Sequence, residues 1–437
     1  MELPDDADKI PLVFLARFTI YEDALSGSVK LVITRTAGAA DSNSPHVLVL
    51  SSAHEIQAQH SISLPLLSTA ATSPASAGAV TSVTAGDLVD GATYSVTVKY
   101  QDRAGNPENT DFVSFVVFDT TKPTVTGVTL ALSDGTLTID LSESINIDGL
   151  LRDTFFNQDA AQPWTEQTSQ AMNVNNLFVT NIALQGTIGL GSSTLVSTTD
   201  SAQLVFKLTE NQRITAIENS GTPGGDGIAL VFDAITRAFF DQATNGNALQ
   251  FDIPITEQAD TIKLTLDTAV IDYSTGILQI TASERINLDT PASMVFLNRL
   301  FISDIAGDQR ISMFGATVTA ADSPTVTLQL TETQRVQAIA LSATPGGDGT
   351  SIVIDSEDGA FQDIGLVASQ ATDGFVTWTI TTNSITPTAA ETVSTAVTQA
   401  ATSTTGKLSV ALDGTAVTQI VVFTSIGQTI ATDQNLV

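Results

Sequence analysis

Acidic side chains recur at matching places in this chain, and they are its best candidates for binding chemistry. The spacing of Glu143 and Asp148, at the end of a predicted strand, is repeated by Glu284 and Asp289. Carboxylate oxygens suit hard cations such as Ca²⁺, which takes about six to eight oxygen ligands, so several loops must converge. The candidate ligands for Ca²⁺, the one cofactor predicted, are Glu143, Asp148, Asp226, Asp241, Glu284, Asp289 and Asp348.

A purely structural role for the same residues stays open. Asp226 and Asp348 sit in glycine-rich turns, where an Asp side chain commonly accepts hydrogen bonds from its own backbone. Glutamate near a helix N-terminus is stabilised by the helix dipole. Only the convergence of several such residues would separate a calcium site from ordinary turn chemistry.

Motifs for catalysis are not found in the sequence. The three histidines, His46, His54 and His60, have no acidic neighbours at metalloprotease spacing. There is no Gly-x-Ser-x-Gly elbow, and the Pro-Gly-Gly-Asp-Gly turns lack the Lys and Ser/Thr of a phosphate-binding loop. We therefore expect satisfied or solvated histidines and a protein that is not an enzyme.

A second candidate binding feature is Trp164, in a segment that interrupts one of two repeats. Its aromatic ring and the neighbouring amides would suit contact with a glycan. The alternative is a loop that packs on its own domain.

The charge of the chain narrows the range of partners. Lys and Arg number 17 against 47 Asp and Glu, a formal net charge of −30. This balance argues against nucleic acid and against an anionic membrane surface, because both need a basic footprint. The chain has no cysteine, so disulfides and thiolate metal sites are excluded. The apolar run 10–16 is too short to span a membrane, and the first residues do not form a signal peptide.

An internal repeat organises the chain. Leu208-Thr-Glu-Asn-Gln-Arg213 recurs 122 residues later as Leu330-Thr-Glu-Thr-Gln-Arg335, and Thr222-Pro-Gly-Gly-Asp-Gly227 recurs at the same offset. Ser142-Glu-Ser-Ile-Asn146 recurs 141 residues later as Ser283-Glu-Arg-Ile-Asn287. The first copy therefore contains an insertion, which we place at 150–176.

Apolar and polar residues alternate with period two through most of each repeat, as in Leu137, Ile139 and Leu141. This alternation predicts strands with one buried face. Thr209 and Gln212 have the spacing of a capping box, which predicts a short helix between strands. The predicted fold is all-β, with a short inserted helix in each of two repeats.

The stretch Leu88-x-x-Gly91-x-x-Tyr94-x-Val96-x-Val98 resembles the tyrosine corner of immunoglobulin-like and fibronectin type III sandwiches. With Asp102-Arg-Ala-Gly-Asn106 and the two glycine turns, it makes the chain similar to the tandem Ig-like or cadherin-like arrays of large extracellular proteins, such as bacterial adhesins and algal or protist surface proteins. The resemblance implies tandem Greek-key β-sandwiches, with calcium held between module ends, and adhesion, a filament or a coat. It implies no catalytic residue.

These observations predict a division of the chain and a function. We expect an Ig or fibronectin-like module at 1–120, Ig-like repeats at 121–258 and 259–383, a Thr/Ser/Ala-rich linker at 384–405, and a partial module or pairing strands at 406–437. The expected function is a structural subunit of an extracellular or cell-surface filament, appendage or coat that self-associates or binds other surface proteins. The alternatives are an adhesin that recognises glycan or protein through its loops, and an S-layer-type lattice protein.

Overall fold

The fold is described from a computed structural model. This structure describes residues 1–76, 78–84, 86–147, 172–182, 186–288, 295–304, 309–318 and 321–372, and the backbone of 420–423 and 429–433. The chain divides into two compact units, Met1–Thr261 and Ile262–Val437. The first unit contains two β-sandwiches, called modules 1 and 2, and the second contains module 3.

The described residues of module 1 form a two-sheet sandwich of eight strands. They are β1 (Lys9–Ile10), β2 (Phe14–Ile20), β3 (Lys30–Gly38), β4 (His46–Leu50), β5 (Ala58–Leu64), β6 (Val80–Thr84), β7 (Ala92–Tyr100) and β8 (Asn109–Phe118). One sheet has the order β1-β8-β7-β3-β4-β6, and β2 pairs with β5 in the other. Between β2 and β5, which pair in one sheet, the chain crosses to the other sheet as β3 and β4, and this is a Greek-key path.

Period-two alternation forms the core of module 1. Every second residue of β7, from Ala92 to Tyr100, is buried, as is every second residue of β2. Tyr94 is fully buried, and its hydroxyl accepts a hydrogen bond from Val89 N (2.9 Å) and donates one to Asp41 Oδ2 (2.7 Å). Burial and the bond to Asp41 raise the pKa of this phenol, although the bond from Val89 opposes them. The bond to a backbone five residues upstream is the one that defines a tyrosine corner.

The described residues of module 2 form eight strands and one α-helix. The strands are β9 (Val125–Ala131), β10 (Thr136–Ile145), β11 (Leu177–Asn181), β12 (Ile188–Gly189), β13 (Thr194–Leu195), β14 (Ser201–Lys207), β15 (Leu230–Ala234) and β16 (Gln250–Gln258). They are hydrogen-bonded in the order β12-β11-β15-β16-β9-β10-β14-β13. The first half of β16 pairs antiparallel with β15 and its second half parallel with β9, so β16 links the two faces of the sandwich.

The predicted helix is present between β14 and β15 as α1 (Glu210–Glu218). Its capping box is complete, because Thr209 and Gln212 exchange both expected hydrogen bonds. The glycine turn then folds under the helix end. Gly224 and Gly227 have positive φ, and a Cβ on Gly225 would lie 2.1 Å from the carbonyl oxygen of Ser220. This turn therefore needs glycine at each of these positions.

Module 3, in the second unit, repeats the strand order of module 2 on each side of β16, and its described residues include no counterpart of β16 itself. Its elements are β17 (Leu266–Asp272), β18 (Ile277–Ile286), β19 (Leu300–Asp304), β20 (Arg310–Ser312), β21 (Thr317–Val318), β22 (Ser323–Gln329), α2 (Glu332–Ala340) and β23 (Ile352–Ser356). The sheets are β17-β18-β22-β21 and β20-β19-β23. A further pair, β24 (Ile420–Phe423) with β25 (Thr429–Asp433), follows later in the chain.

The predicted fold class is confirmed. The chain is all-β, built of tandem immunoglobulin-like Greek-key sandwiches, two of which carry a short helix between strands. Most of the predicted insertion at 150–176, and the whole predicted linker at 384–405, lie outside the described residues.

Candidate cation site

Three carboxylates converge where module 1 ends and module 2 begins. Asp119 follows β8, Glu143 lies near the end of β10, and Asp241 lies in the loop after β15. One oxygen of each lies within 4.8 Å of the others. Asp241 is fully buried, Asp119 is 8% exposed, and the Glu143 side chain is 18% exposed. These three residues are called the acidic cluster.

The local fold positions each member. The register of β10 against β14 shifts between Asp140 and Ile145, so the segment that carries Glu143 arches out of the ladder. Ile145 then forms an isolated bridge with Asp241, which fixes the loop after β15 beside the end of β10. Asp119 continues directly from the last strand of module 1.

Asn245 locks the loop that carries Asp241. Its backbone N–H donates to Asp241 Oδ1 (2.7 Å), and its side-chain amide donates to Asp241 Oδ2 (2.8 Å). The same amide donates to the carbonyl oxygen of Asp119 (2.9 Å). One buried side chain therefore connects the segment after module 1 to a loop of module 2.

The electrostatics of the cluster favour a cation. Burial raises the pKa of Asp241 to about 7, with help from the charges of Asp119 and Glu143, and against the hydrogen bonds from Asn245. Burial and the charge of Asp119 also raise the pKa of Glu143, while Lys9 opposes the shift. Oε1 of Glu143 is buried and has no hydrogen-bond partner among the described residues. A buried carboxylate oxygen beside two others would be stabilised by a bound cation.

The donor set fits calcium. Three carboxylates supply up to six oxygens, and backbone carbonyls or water can complete the shell that Ca²⁺ needs. Zinc sites favour His and Cys, and this cluster has neither. Mg²⁺ holds its own water molecules more tightly and fits a crowded, all-protein oxygen site less well.

The same frame recurs in each module. Isolated bridges join Ala24 to Asp102, Ile145 to Asp241, and Ile286 to Asp363. In each case a glutamate lies two residues before the first partner of the bridge: Glu22, Glu143 and Glu284. The hydrogen bonds from Asn245 to Asp241 also have counterparts in the other modules. Asn106 donates to both oxygens of Asp102, and Val367 N donates to Asp363 Oδ1 (2.9 Å).

The sequence also supplies a counterpart of Asp119. Asp260 follows Asp119 by 141 residues, the offset that separates Glu143 from Glu284. Asp260 is itself buried and accepts a hydrogen bond from Arg213 Nη1 (2.9 Å) within the first unit.

The predicted ligands divide into three groups. Glu143 and Asp241 are brought together, and Glu284 occupies the corresponding position in module 3. Asp226 and Asp348 lie instead in the glycine turns, where Asp226 accepts bonds from Ile228 N and Asn181, and Asp348 from Thr350. This is the turn role that the sequence left open for them. Asp148, Asp289 and Trp164 lie outside the described residues.

Sequence reasoning missed Asp119 and Asp260, although a signal was present. Both precede the first strand of a repeat, and their separation equals that of the two matched glutamates. They lie in connecting segments without periodicity, so no strand motif marks them.

The histidines are partnered, as expected. His46 contacts Gly86 O (2.8 Å) and Asp41 Oδ2 (2.6 Å). His60 contacts Ile56 O (2.9 Å), and its Nδ1 lies 3.2 Å from Nδ1 of His54. Burial and the neighbouring His60 lower the pKa of His54.

Comparison with solved structures finds a weak structural likeness. No protein-family model and no curated protein sequence matches the chain. Among solved structures, it is similar to the cadherin-like domains 1 to 4 of zebrafish RET at 9% identity, over 80% of this chain and 66% of that chain, with a TM-score of 0.17. The chain thus spans just under two thirds of that structure. No helix in the described part is long and apolar enough to cross a membrane.

Proposed function

We propose that the chain is a structural segment of an extracellular or cell-surface filament, appendage or coat, in which bound calcium fixes one β-sandwich against the next. The observation that carries this proposal is the acidic cluster at the junction of modules 1 and 2, whose Glu–Asp frame recurs in every module. A catalytic centre would have no reason to recur at module ends, whereas a joint between modules would.

The cluster supports a joint because its members come from separate parts of the first unit. Asp119 belongs to the segment that leaves module 1, and Glu143 and Asp241 belong to module 2. Backbone contacts already hold this junction, since Ala248 N donates to the carbonyl oxygen of Pro123 (3.2 Å). Three close carboxylates repel one another without a counter-ion. A divalent cation would convert that repulsion into a crosslink between the modules.

Calcium binding is tested by thermal unfolding of the whole chain with calcium or with chelator. A ligand that binds only the folded state stabilises it by about 2.7 kcal/mol at one hundred times its Kd. We expect calcium to raise the Tm of the wild-type chain, and Asp119→Asn to lose most of that rise. Asp140→Asn is the matched control, because Asp140 is exposed on β10 and bonds Gln203 outside the cluster. A wild-type Tm that is equal in calcium and chelator would refute the metal site.

Assembly is tested separately by electron microscopy of the purified chain. Ordered filaments or sheets in millimolar calcium, lost in chelator, are expected for a self-associating structural subunit. Single particles in both conditions would remove the assembly part of the proposal and leave the metal site standing.

A further inference from the structure

Within the acidic cluster, a lysine already occupies the place of a cation. We propose that the Lys9 ammonium is a built-in counter-ion that holds this junction when calcium is absent and competes with calcium for the cluster. The inference rests on the proposed function, because it concerns the affinity and regulation of the same site.

The backbone places Lys9 beside Asp119. Strand β1 pairs parallel with the end of β8, with Lys9 opposite Val117 and Ile10 opposite Phe118. Asp119 N then donates to the carbonyl oxygen of Ile10 (2.9 Å). The two residues therefore leave neighbouring strands at the same end of module 1, with their side chains directed to one place.

The ammonium reaches two members of the cluster. Lys9 Nζ lies 3.0 Å from Asp119 Oδ2 and 3.8 Å from Glu143 Oε2, and its side chain is 31% exposed. Burial alone would lower the pKa of Lys9, but the hydrogen bond with Asp119 and the charges of all three carboxylates raise it. One positive charge leaves the cluster short of neutrality when all three carboxylates are ionised. The cluster therefore already binds one monovalent cation, and its negative charge is enough for a divalent one.

A basic side chain also holds the corresponding aspartate after module 2. Arg213 Nη1 lies 2.9 Å from Asp260 Oδ2, and both side chains are at most 5% exposed. In the first unit, each connecting aspartate is thus held by a basic residue of the module that it follows. Lys9 is the more exposed of the two basic residues and sits on a flexible stem, so it can leave for solvent when a metal ion arrives.

Lys9 and calcium compete because both would lie close to Asp119 Oδ2. Calcium binds carboxylate oxygens at about 2.3–2.6 Å, so an ion on Asp119 Oδ2 would lie within a few ångströms of the ammonium. At such separations, like charges interact strongly even near a protein surface. Calcium must therefore either displace Lys9 or bind against its repulsion, and in both cases Lys9 weakens the affinity.

The test compares calcium affinity in four forms of the whole chain: wild type, Lys9→Gln, Lys9→Arg and Lys207→Gln. Lys207 is the matched control, because it pairs with Asp134 (2.9 Å) at the other end of β10. Titration calorimetry gives the affinity, and the NMR signal of the Asn245 side-chain amide reports on this site alone, since that amide bonds both Asp241 and Asp119. Lys9→Arg keeps the charge, so it separates electrostatics from packing.

We expect Lys9→Gln to bind calcium at the acidic cluster at least about tenfold more tightly than the wild type, as reported by the Asn245 amide. Lys9→Arg and Lys207→Gln should bind calcium as the wild type does. In chelator, Lys9→Gln should unfold at a lower temperature than the wild type. Equal or weaker binding by Lys9→Gln, with the wild type still binding, overturns the role of Lys9 alone. If the Asn245 amide responds to calcium neither in the wild type nor in Lys9→Gln, the proposed function fails as well.

Discussion

Glu143 is the cluster member whose charge is least satisfied by the protein. Its Oε1 is buried without a hydrogen-bond partner in the part of the chain that the structure describes, while Oε2 lies 3.8 Å from Lys9. Asp241, by contrast, receives two bonds from Asn245. The negative charge of Glu143 is therefore unfavourable in the metal-free protein even beside Lys9, and we expect a bound calcium ion to make it favourable.

This asymmetry predicts opposite effects of Glu143→Gln in the two conditions. In chelator, loss of a repelling charge should raise the free energy of unfolding by about 0.5 kcal/mol. In calcium, loss of a ligand should reduce affinity about tenfold or more, and with it the stabilisation by metal. Urea unfolding in both conditions measures this, with Asp140→Asn as the control for charge removal elsewhere on β10. Destabilisation of similar size in both conditions would mean that Glu143 has only a packing role.

At the level of elements, the sequence predicted those helices and strands that a local pattern of residues encodes. The capping box of Thr209 and Gln212 specified the start of α1, and alternation specified strands such as β10. The acidic cluster was only partly predictable, because Asp119, Glu143 and Asp241 meet through sheet topology over more than a hundred residues. Nothing local marks Asp119 as a neighbour of Asp241, and the division of β16 between two partner strands is equally non-local.

The glycine turn after α1 gives a sharp test of element-level packing. A Cβ at Gly225 would lie 2.1 Å from the carbonyl oxygen of Ser220 and 2.6 Å from that of Ile217, so the helix end or the turn must move. At Gly221, the nearest atoms to an added Cβ are 3.6 Å away, and its φ is not positive.

We therefore expect Gly225→Ala to lower the free energy of unfolding by about 2 kcal/mol or more, and Gly221→Ala to change it by less than about 1 kcal/mol. Chemical denaturation of the two variants side by side measures the difference. Similar small effects of both would show that the turn relaxes easily, and that its recurrence as Gly347 in module 3 has another cause.

At the scale of the molecule, composition and repeat together predicted the class of fold, but not how the charge is used. The net charge of −30 disfavours any compact state through self-repulsion. Part of that charge is placed in pairs with the few basic residues, such as Lys9 and Arg213. Because those residues number only 17 against 47 acidic ones, most carboxylates depend on solvent ions for screening.

General screening and specific binding should therefore separate in a salt series. Sodium chloride shortens the Debye length from about 10 Å at 0.1 M to about 3 Å at 1 M, so Tm should rise gradually without saturating. Calcium added at constant ionic strength should give a further rise that saturates, and Asp119→Asn should lose it. Magnesium at the same concentration should give a smaller rise, because it gives up its water less readily. Differential scanning calorimetry of the whole chain measures all three. Equal effects of calcium and magnesium, unchanged in Asp119→Asn, would assign the stabilisation to screening and leave the acidic cluster without a selective cation.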